Sequence, residues 1–98
     1  MKLIFEWDIV KAKSNLKKHK VGFEEAKEVF SDQFAVTFRD EIHSKDEERF
    51  ITIGTSSKRR TLLVVHTESE AYQNGVIIRI ISCRKATKAE REIYEKGE

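Results

Sequence analysis

Gly75-Val76-Ile77-Ile78-Arg79-Ile80-Ile81-Ser82-Cys83 is the run that decides the fold. A glycine opens it, β-branched residues dominate it, and nothing in it has helical spacing, so it predicts a strand. Working outward, the stretches Thr61 to Thr67, Glu48 to Thr55 and Phe34 to Arg39 show the same period of two. Before Gln33 the period is helical. Asp8 suits an N-cap, and Ile9, Ala12, Leu16 and His19 then recur on one helical face. A second helix opens near Gly22-Phe23, with Glu24 and Glu25 at its positive end and Phe23, Ala26, Val29 and Phe30 on its buried side. Leu3-Ile4-Phe5 is a short strand ahead of both. Beyond the deciding run, Thr87-Lys88-Ala89-Glu90 is a capping box that opens a last helix carrying Ala89, Ile93 and Tyr94. The order is strand, two helices, four strands, helix: an α+β chain with no internal repeat.

Size and composition bound the rest. Ninety-eight residues and 11.5 kDa make one domain, 1–98, because that length does not divide into two cores. With 39% hydrophobic residues, no proline and four glycines, the chain reads as globular rather than as a linker or a disordered tail. No apolar run approaches the ~20 residues of a membrane span, and acid arrives at Glu6, too early for a signal peptide. The expectation is a cytoplasmic protein that does not engage a membrane. A single cysteine, Cys83, excludes an internal disulfide, and His19, His43 and His66 show no metal spacing, so no metal and no cofactor is expected.

A net charge of +2 says little, but its layout says more. Lys11, Lys13, Lys17, Lys18 and Lys20 fall in a stretch without acid. Lys58-Arg59-Arg60 forms a second basic block, and Arg79, Arg84, Lys85, Lys88 and Arg91 a third. Asp40, Glu41, Asp46, Glu47 and Glu48 separate the first from the second. Each block alone reads as a solvated face; together they build a polarised surface suited to phosphates.

Strand parity sorts the sheet residues into two faces. Phe34, Val36, Phe38, Ile51, Ile53, Leu63, Val65, Val76, Ile78 and Ile80 make one wholly apolar face, expected under the two N-terminal helices. Thr37, Arg39, Glu48, Phe50, Thr52, Leu62, Val64, His66, Ile77, Arg79 and Ile81 make a mixed face, expected to form an open groove that the last helix covers only in part. Metal-free RNA cleavage needs a base for the 2′-hydroxyl proton, cations for the charge on phosphorus and an acid for the leaving 5′-oxygen. His66 and Glu48 are the proton-transfer candidates, and Arg79 and Arg84 the phosphate binders, since a guanidinium grips two oxygens and keeps its charge. Lys18, Arg39, Arg59, Arg60, Lys85 and Tyr94 complete an RNA-binding set, Tyr94 as a stacking ring or proton donor. Duller explanations stand beside these: His66 as a half-buried histidine, Glu48 as a cross-strand partner of Arg39 or Arg49, Arg79 as half of an ion pair, and Arg84 with Lys85 as loop cations. Neither Ser82 nor Cys83 has the surroundings of a nucleophile.

Several ordered stretches together resemble the BrnT-type toxins. They are Phe5-Glu6-Trp7-Asp8, Lys11, Asn15, Lys18-His19, Phe23-Glu24-Glu25-Ala26, Phe30 and Asp32; then Glu47-Glu48-Arg49-Phe50, Ile53-Gly54-Thr55-Ser56, Leu63-Val64-Val65-His66-Thr67-Glu68 and Arg79-Ile80-Ile81-Ser82; and finally Arg84-Lys85-Ala86-Thr87, Glu90-Arg91 and Tyr94-Glu95. The resemblance spans essentially the whole chain. It implies a RelE-like fold with an antiparallel sheet of four main strands plus the short N-terminal strand, two N-terminal helices on one face, and a C-terminal helix. It also implies a metal-independent endoribonuclease of a type II toxin–antitoxin system that inhibits translation. Its partner is then a BrnA-like, DNA-binding antitoxin in a heterotetramer of two toxins and two antitoxins, with DNA met only through the antitoxin. The alternative is a degenerate toxin, a non-catalytic nucleic-acid or antitoxin-binding module serving operon autoregulation. The antitoxin is expected across the mixed face, over Leu62, Val64, Ile77 and Ile81. Three positions depart from the family pattern: Lys20 stands for a helix-ending glycine, Gly22 for a serine cap and Ser69 for an arginine.

Overall fold

The computed structural model describes residues 2–97. Strand β1 (Lys2–Glu6) leads into helix α1 (Ile9–His19) and helix α2 (Phe23–Glu28), which tightens into a 3₁₀ turn over Val29–Ser31. Strands β2 (Val36–Arg39), β3 (Phe50–Thr55), β4 (Thr61–Ala71) and β5 (Gly75–Lys85) follow, and helix α3 (Lys88–Lys96) closes the chain. Local chemistry sets the helix ends. The Asp8 carboxylate accepts from the backbone N–H groups of Val10 and Lys11, at 2.8 and 3.1 Å. The Thr87–Glu90 capping box closes in both directions. Helix α1 ends with Lys20 at φ 61°, a left-handed cap that glycine fills more cheaply.

The strands form one sheet in the order β1-β5-β4-β3-β2. The four main strands are antiparallel, as expected, but β1 lies parallel to β5, Lys2 opposite Gly75 and Glu6 opposite Arg79, so the five-stranded sheet is mixed. From edge strand β1 the two helices carry the chain to β2 at the opposite edge, and three antiparallel pairings bring it back to β5 beside β1. Left-handed Gln73 and Asn74, at φ 58° and 64°, turn β4 into β5. Gly54 lies where the 3₁₀ turn touches the sheet, and a Cβ there would come within 2.7 Å of Val29 Cγ1.

Two cores sandwich the sheet. Val21, Phe23, Ala26 and Val29 pack on Leu62, Val64, Ile78, Ile80 and Cys83 on the face beneath α1 and α2. On the other face Ile53, Leu63 and Ala86 pack with Val36, Ile51, Val65 and Tyr94 of α3. The expected parity is therefore corrected in β2, β3 and β4, with Val36 and Phe38 following their partners Ile53 and Ile51 to the α3 face. Ile51, Ile53, Leu63 and Val65 face α3, whereas Leu62 and Val64 lie under the N-terminal helices with Ile78 and Ile80. A bulge causes this: Val65 pairs with Ser82 but His66 pairs with Ile80, leaving Ile81 unmatched and reversing the parity of β5 relative to β4. The correction also removes Leu62 and Val64 from any docking surface, since both are fully buried. Helix α1 differs as well. Its buried residue is Asn15, while Ile9 and Leu16, expected inside, are 64% and 53% exposed. Asn15 donates to the carbonyls of Val21 (3.0 Å) and Cys83 (2.8 Å) and accepts from the Cys83 N–H (3.0 Å), so a polar side chain ties α1 to β5.

Candidate nucleic-acid interface

The four residues singled out for chemistry do not assemble into one site. His66 sits on the face beneath α2, 0% exposed, with the Phe30 ring edge-on to it at 4.9 Å and the Phe50 ring stacked at 6.1 Å. Its Nε2 shares a 2.7 Å hydrogen bond with Thr52 Oγ1, which meets Thr37 Oγ1 at 2.8 Å, so a polar relay crosses three strands. Nδ1 is buried without a hydrogen-bond partner among the described residues; Glu68 Oε2 stands 3.8 Å away. Burial pushes the imidazole down to about 4, so it is neutral at pH 7. Burial, with the charge of Glu48 nearby, raises Glu68 in turn. Arg79 pairs in register with Thr67 and points to the opposite face, where it is half-exposed 3.9 Å from Glu6. The expectation that His66 and Arg79 share a face is corrected by the bulge. Glu48 precedes β3 and accepts from Arg39 Nε at 3.1 Å, the duller of its two explanations; Glu41 takes the other side of the same guanidinium. Cys83 is buried and its thiol is pushed up to about 12, consistent with a structural role.

The remaining cations are dispersed. Lys18 and Arg39 are exposed at separate points, on α1 and on edge strand β2. Arg60 grips the buried carboxylate of Glu25 through Nε (2.9 Å) and Nη2, with Ser56 Oγ donating to the same group at 2.6 Å. The Arg60 hydrogen bonds outweigh burial and hold Glu25 below the usual carboxylate range, so this pair serves the fold. Arg59 and Lys85 line a shallow concavity of about 280 Å³ together with Arg60 and Arg91. The Tyr94 hydroxyl is committed to donating to Asp32 Oδ2 at 2.6 Å, and it accepts from Thr55 Oγ1 at 3.1 Å, which pins α3 to the sheet. Burial favours the neutral form of Asp32, but Tyr94 and the N–H groups of Thr55 and Phe34 together outweigh it and keep the carboxylate ionised.

An open groove does exist, on the α3 face. It encloses about 420 Å³ over an apolar floor of Ile51, Leu63, Val65 and Ile81. Arg84 stands on its rim, with Nη1 and Nη2 donating to the two oxygens of Glu90 at 2.8 and 2.9 Å. That fork raises Arg84 and lowers Glu90, fixing both charges. Arg49 lines the same groove; its Nη2 lies 3.5 Å from Glu47, and its buried Nε has no hydrogen-bond partner among the described residues. Across from them, His43 Nδ1 meets Asp40 Oδ2 at 3.0 Å. The loop carrying this pair is stitched to itself. Ser44 Oγ donates to the Asp40 carbonyl at 2.6 Å and accepts the Arg49 N–H at 3.0 Å, and the Asp40 N–H donates to the Arg49 carbonyl at 2.8 Å. Sequence reasoning missed Asp40, His43 and Arg49 because they sit in an acidic stretch that reads as a solvated face. The Asp40-x-x-His43 spacing next to Ser44 was the available signal.

The groove combines fixed guanidinium charge with a titratable ring over an apolar floor, a combination suited to a phosphodiester with exposed bases. Residues 7–90 match the sequence profile of the family described as ribonuclease toxin, BrnT, of type II toxin–antitoxin system. No curated protein matches the chain. Among solved structures, the 1.1 Å crystal structure of the Brucella abortus ribonuclease toxin BrnT is similar, with a TM-score of 0.60 and 22% identity over 90% of this chain and 100% of that one. That likeness concerns the fold. No helix among the described residues is long and apolar enough to cross a membrane.

Proposed function

The chain belongs to the BrnT family of ribonuclease toxins of type II toxin–antitoxin systems, and from that membership we propose that it is a metal-independent endoribonuclease with a RelE-like fold. It acts in the cytoplasm, cutting RNA and so inhibiting translation and growth. A cognate BrnA-like antitoxin neutralises it in a complex of two toxins and two antitoxins that meets DNA only through the antitoxin. The α3-face groove is the observation that carries this reading. Arg49 and Arg84 line one solvent-open concavity over an apolar floor, cations where a scissile phosphate needs them. Glu90 holds the Arg84 guanidinium by two of its nitrogens and leaves further N–H groups for a phosphate. Arg39, Lys18, Arg59 and Lys85 contribute longer-range attraction to the RNA backbone.

With His66 sealed beneath Phe30 and Phe50, and Arg79 on the groove's own sheet face but outside its lining, 3.9 Å from Glu6, phosphate stabilisation falls to Arg84 and Arg49. The test is purified chain, freed of antitoxin, incubated with naked total RNA in EDTA and, in parallel, added to a translation extract. Wild type is expected to cut RNA, Arg84→Ala and Arg49→Ala to lose at least ~10²-fold in rate, and Arg79→Ala to stay within a few-fold of wild type. The competing reading is a non-catalytic module acting through its antitoxin, favoured by the separation of His66 from Arg79. Cleavage in EDTA sinks that alternative. Intact RNA in both assays sinks the nuclease.

A further inference from the structure

Metal-free cleavage requires a group that accepts the 2′-hydroxyl proton, and the groove holds one that the sequence did not suggest. We propose that His43, oriented by Asp40, is the proton-transfer residue of this groove; the inference rests on the ribonuclease reading above.

The other two histidines are poorly placed. His66 is wholly enclosed, and His19 lies in the last turn of α1, outside the groove. His43 is 64% exposed by its side chain, and its ring lines the groove with Arg49 and Arg84. Its partner is built in rather than adventitious. The Asp40 side chain is only 10% exposed, and both backbone polar groups of that residue are engaged, the N–H with Arg49 and the carbonyl with Ser44. An aspartate fixed in this way accepts Nδ1–H and leaves the lone pair on Nε2, the tautomer a general base requires. It also stabilises the imidazolium that forms. Arg49, with its side chain 33% exposed, lines the same groove and sets a cation beside this pair.

The step balances as a transesterification. His43 Nε2 takes the ribose 2′-hydroxyl proton while the 2′-oxygen forms a bond to phosphorus. The bond from phosphorus to the 5′-oxygen breaks, and that oxygen leaves with a proton from water. Arg49 and Arg84 hold the non-bridging oxygens throughout. The products are a 2′,3′-cyclic phosphate and a 5′-hydroxyl, and His43 returns its proton to solvent.

The experiment separates cleavage from binding. Cleavage of naked RNA in EDTA is timed for wild type, His43→Asn, Asp40→Asn and the double variant. Affinity is measured on a 2′-O-methyl RNA oligonucleotide, which has no proton to lose, and circular dichroism melting checks the fold. His43→Asn is expected to lose about 10²-fold or more in rate with oligonucleotide affinity unchanged within two-fold. Asp40→Asn, acting as a positioning residue, is expected to lose about 10-fold, and the double variant to be no slower than His43→Asn alone. Wild-type cleavage that His43→Asn retains within two-fold overturns this proposal and leaves the ribonuclease reading standing. A loss of affinity equal to the loss of rate also overturns it, by making His43 a binding residue. Absence of cleavage by wild type on naked RNA and in a translation extract alike overturns both.

Discussion

Acidifying the protein from pH 7 to pH 5 isolates one buried side chain, because His66 is neutral in the fold and ordinary once unfolded. Burial depresses it to about 4 from a reference of 6.5. Above pH 6.5 neither state is protonated and the full stability is present. Between 6.5 and 4 the unfolded chain binds a proton that the native chain refuses, so stability falls as pH falls, by up to ~1.4 kcal/mol per unit. Integrated from pH 7 to pH 5 the loss is about 2 kcal/mol, a sizeable share of the 5–15 kcal/mol typical of a domain. Asp8, Glu25, Asp32 and Glu90 are all held below their ordinary values, so the stability they contribute is lost only as pH falls below about 4.5. Glu68 is raised and works in the opposite direction, favouring the fold at low pH. The assay is urea unfolding at half-unit intervals for wild type and His66→Phe, which keeps an aromatic ring between Phe30 and Phe50 and leaves Thr52 its bond to Thr37. The variant is expected to be about 1 kcal/mol less stable at pH 7 for the missing hydrogen bond, and to show a shallower slope between pH 7 and 5, so that the deficit closes as the pH falls. Two curves running parallel through that window would refute the claim that His66 is buried neutral.

Three stability predictions follow from the backbone and the buried ion pair, each read from urea or thermal midpoints. Lys20→Gly is expected to stabilise the chain by about 1 kcal/mol, since φ 61° costs a side chain and not a glycine; a destabilised variant would mean that the Lys20 Nζ bond to the Lys17 carbonyl matters more. Gly54→Ala is expected to destabilise by about 1–3 kcal/mol through the clash with Val29, and an unchanged midpoint would show that the 3₁₀ turn yields. Arg60→Ala strands the Glu25 carboxylate in the core and is expected to cost about 2 kcal/mol, less than a fully buried pair because the Arg60 side chain is itself partly exposed. Destabilisation that vanishes at high salt would mark it as a surface pair instead.

Local signals in the sequence proved readable. The Asp8 cap, the Thr87 capping box, the Phe23, Ala26, Val29 stripe of α2 and the left-handed Lys20 all depend on neighbours a few residues away, and each appears as read. Sheet parity was not readable, for a physical reason. Helices cover both faces, so Leu62-Leu63-Val64-Val65 is apolar at every position and supports either assignment. The bulge at Ile81 has no side-chain signature within a run of β-branched residues. Helix α1 misled because Asn15, a polar residue, took the inward position that Ile9 and Leu16 were expected to hold. In the candidate groove, Arg84 is a cation that the sequence singled out, while its fork with Glu90 left no sequence signal. The His43–Asp40 pair went unseen because a loop joins it, and loops carry no hydrophobic period to betray which side chains converge.

The parallel docking of β1 on β5 has a consequence for the order in which the molecule can be made. Lys2 to Glu6 leave the ribosome long before their partners Gly75 to Arg79 are synthesised. Helix α1 is likewise anchored by Asn15 to the backbone of Cys83. The N-terminal third of the chain therefore waits, unpaired, for the β4–β5 hairpin, and the longest loop closures are left to the end of folding. The groove obeys the same timetable, since Arg84 and Glu90 come after everything else it needs. A nascent chain of this design stays unfinished in fold and in groove until Glu90 has emerged, and up to that point its N-terminal elements are open to proteolysis.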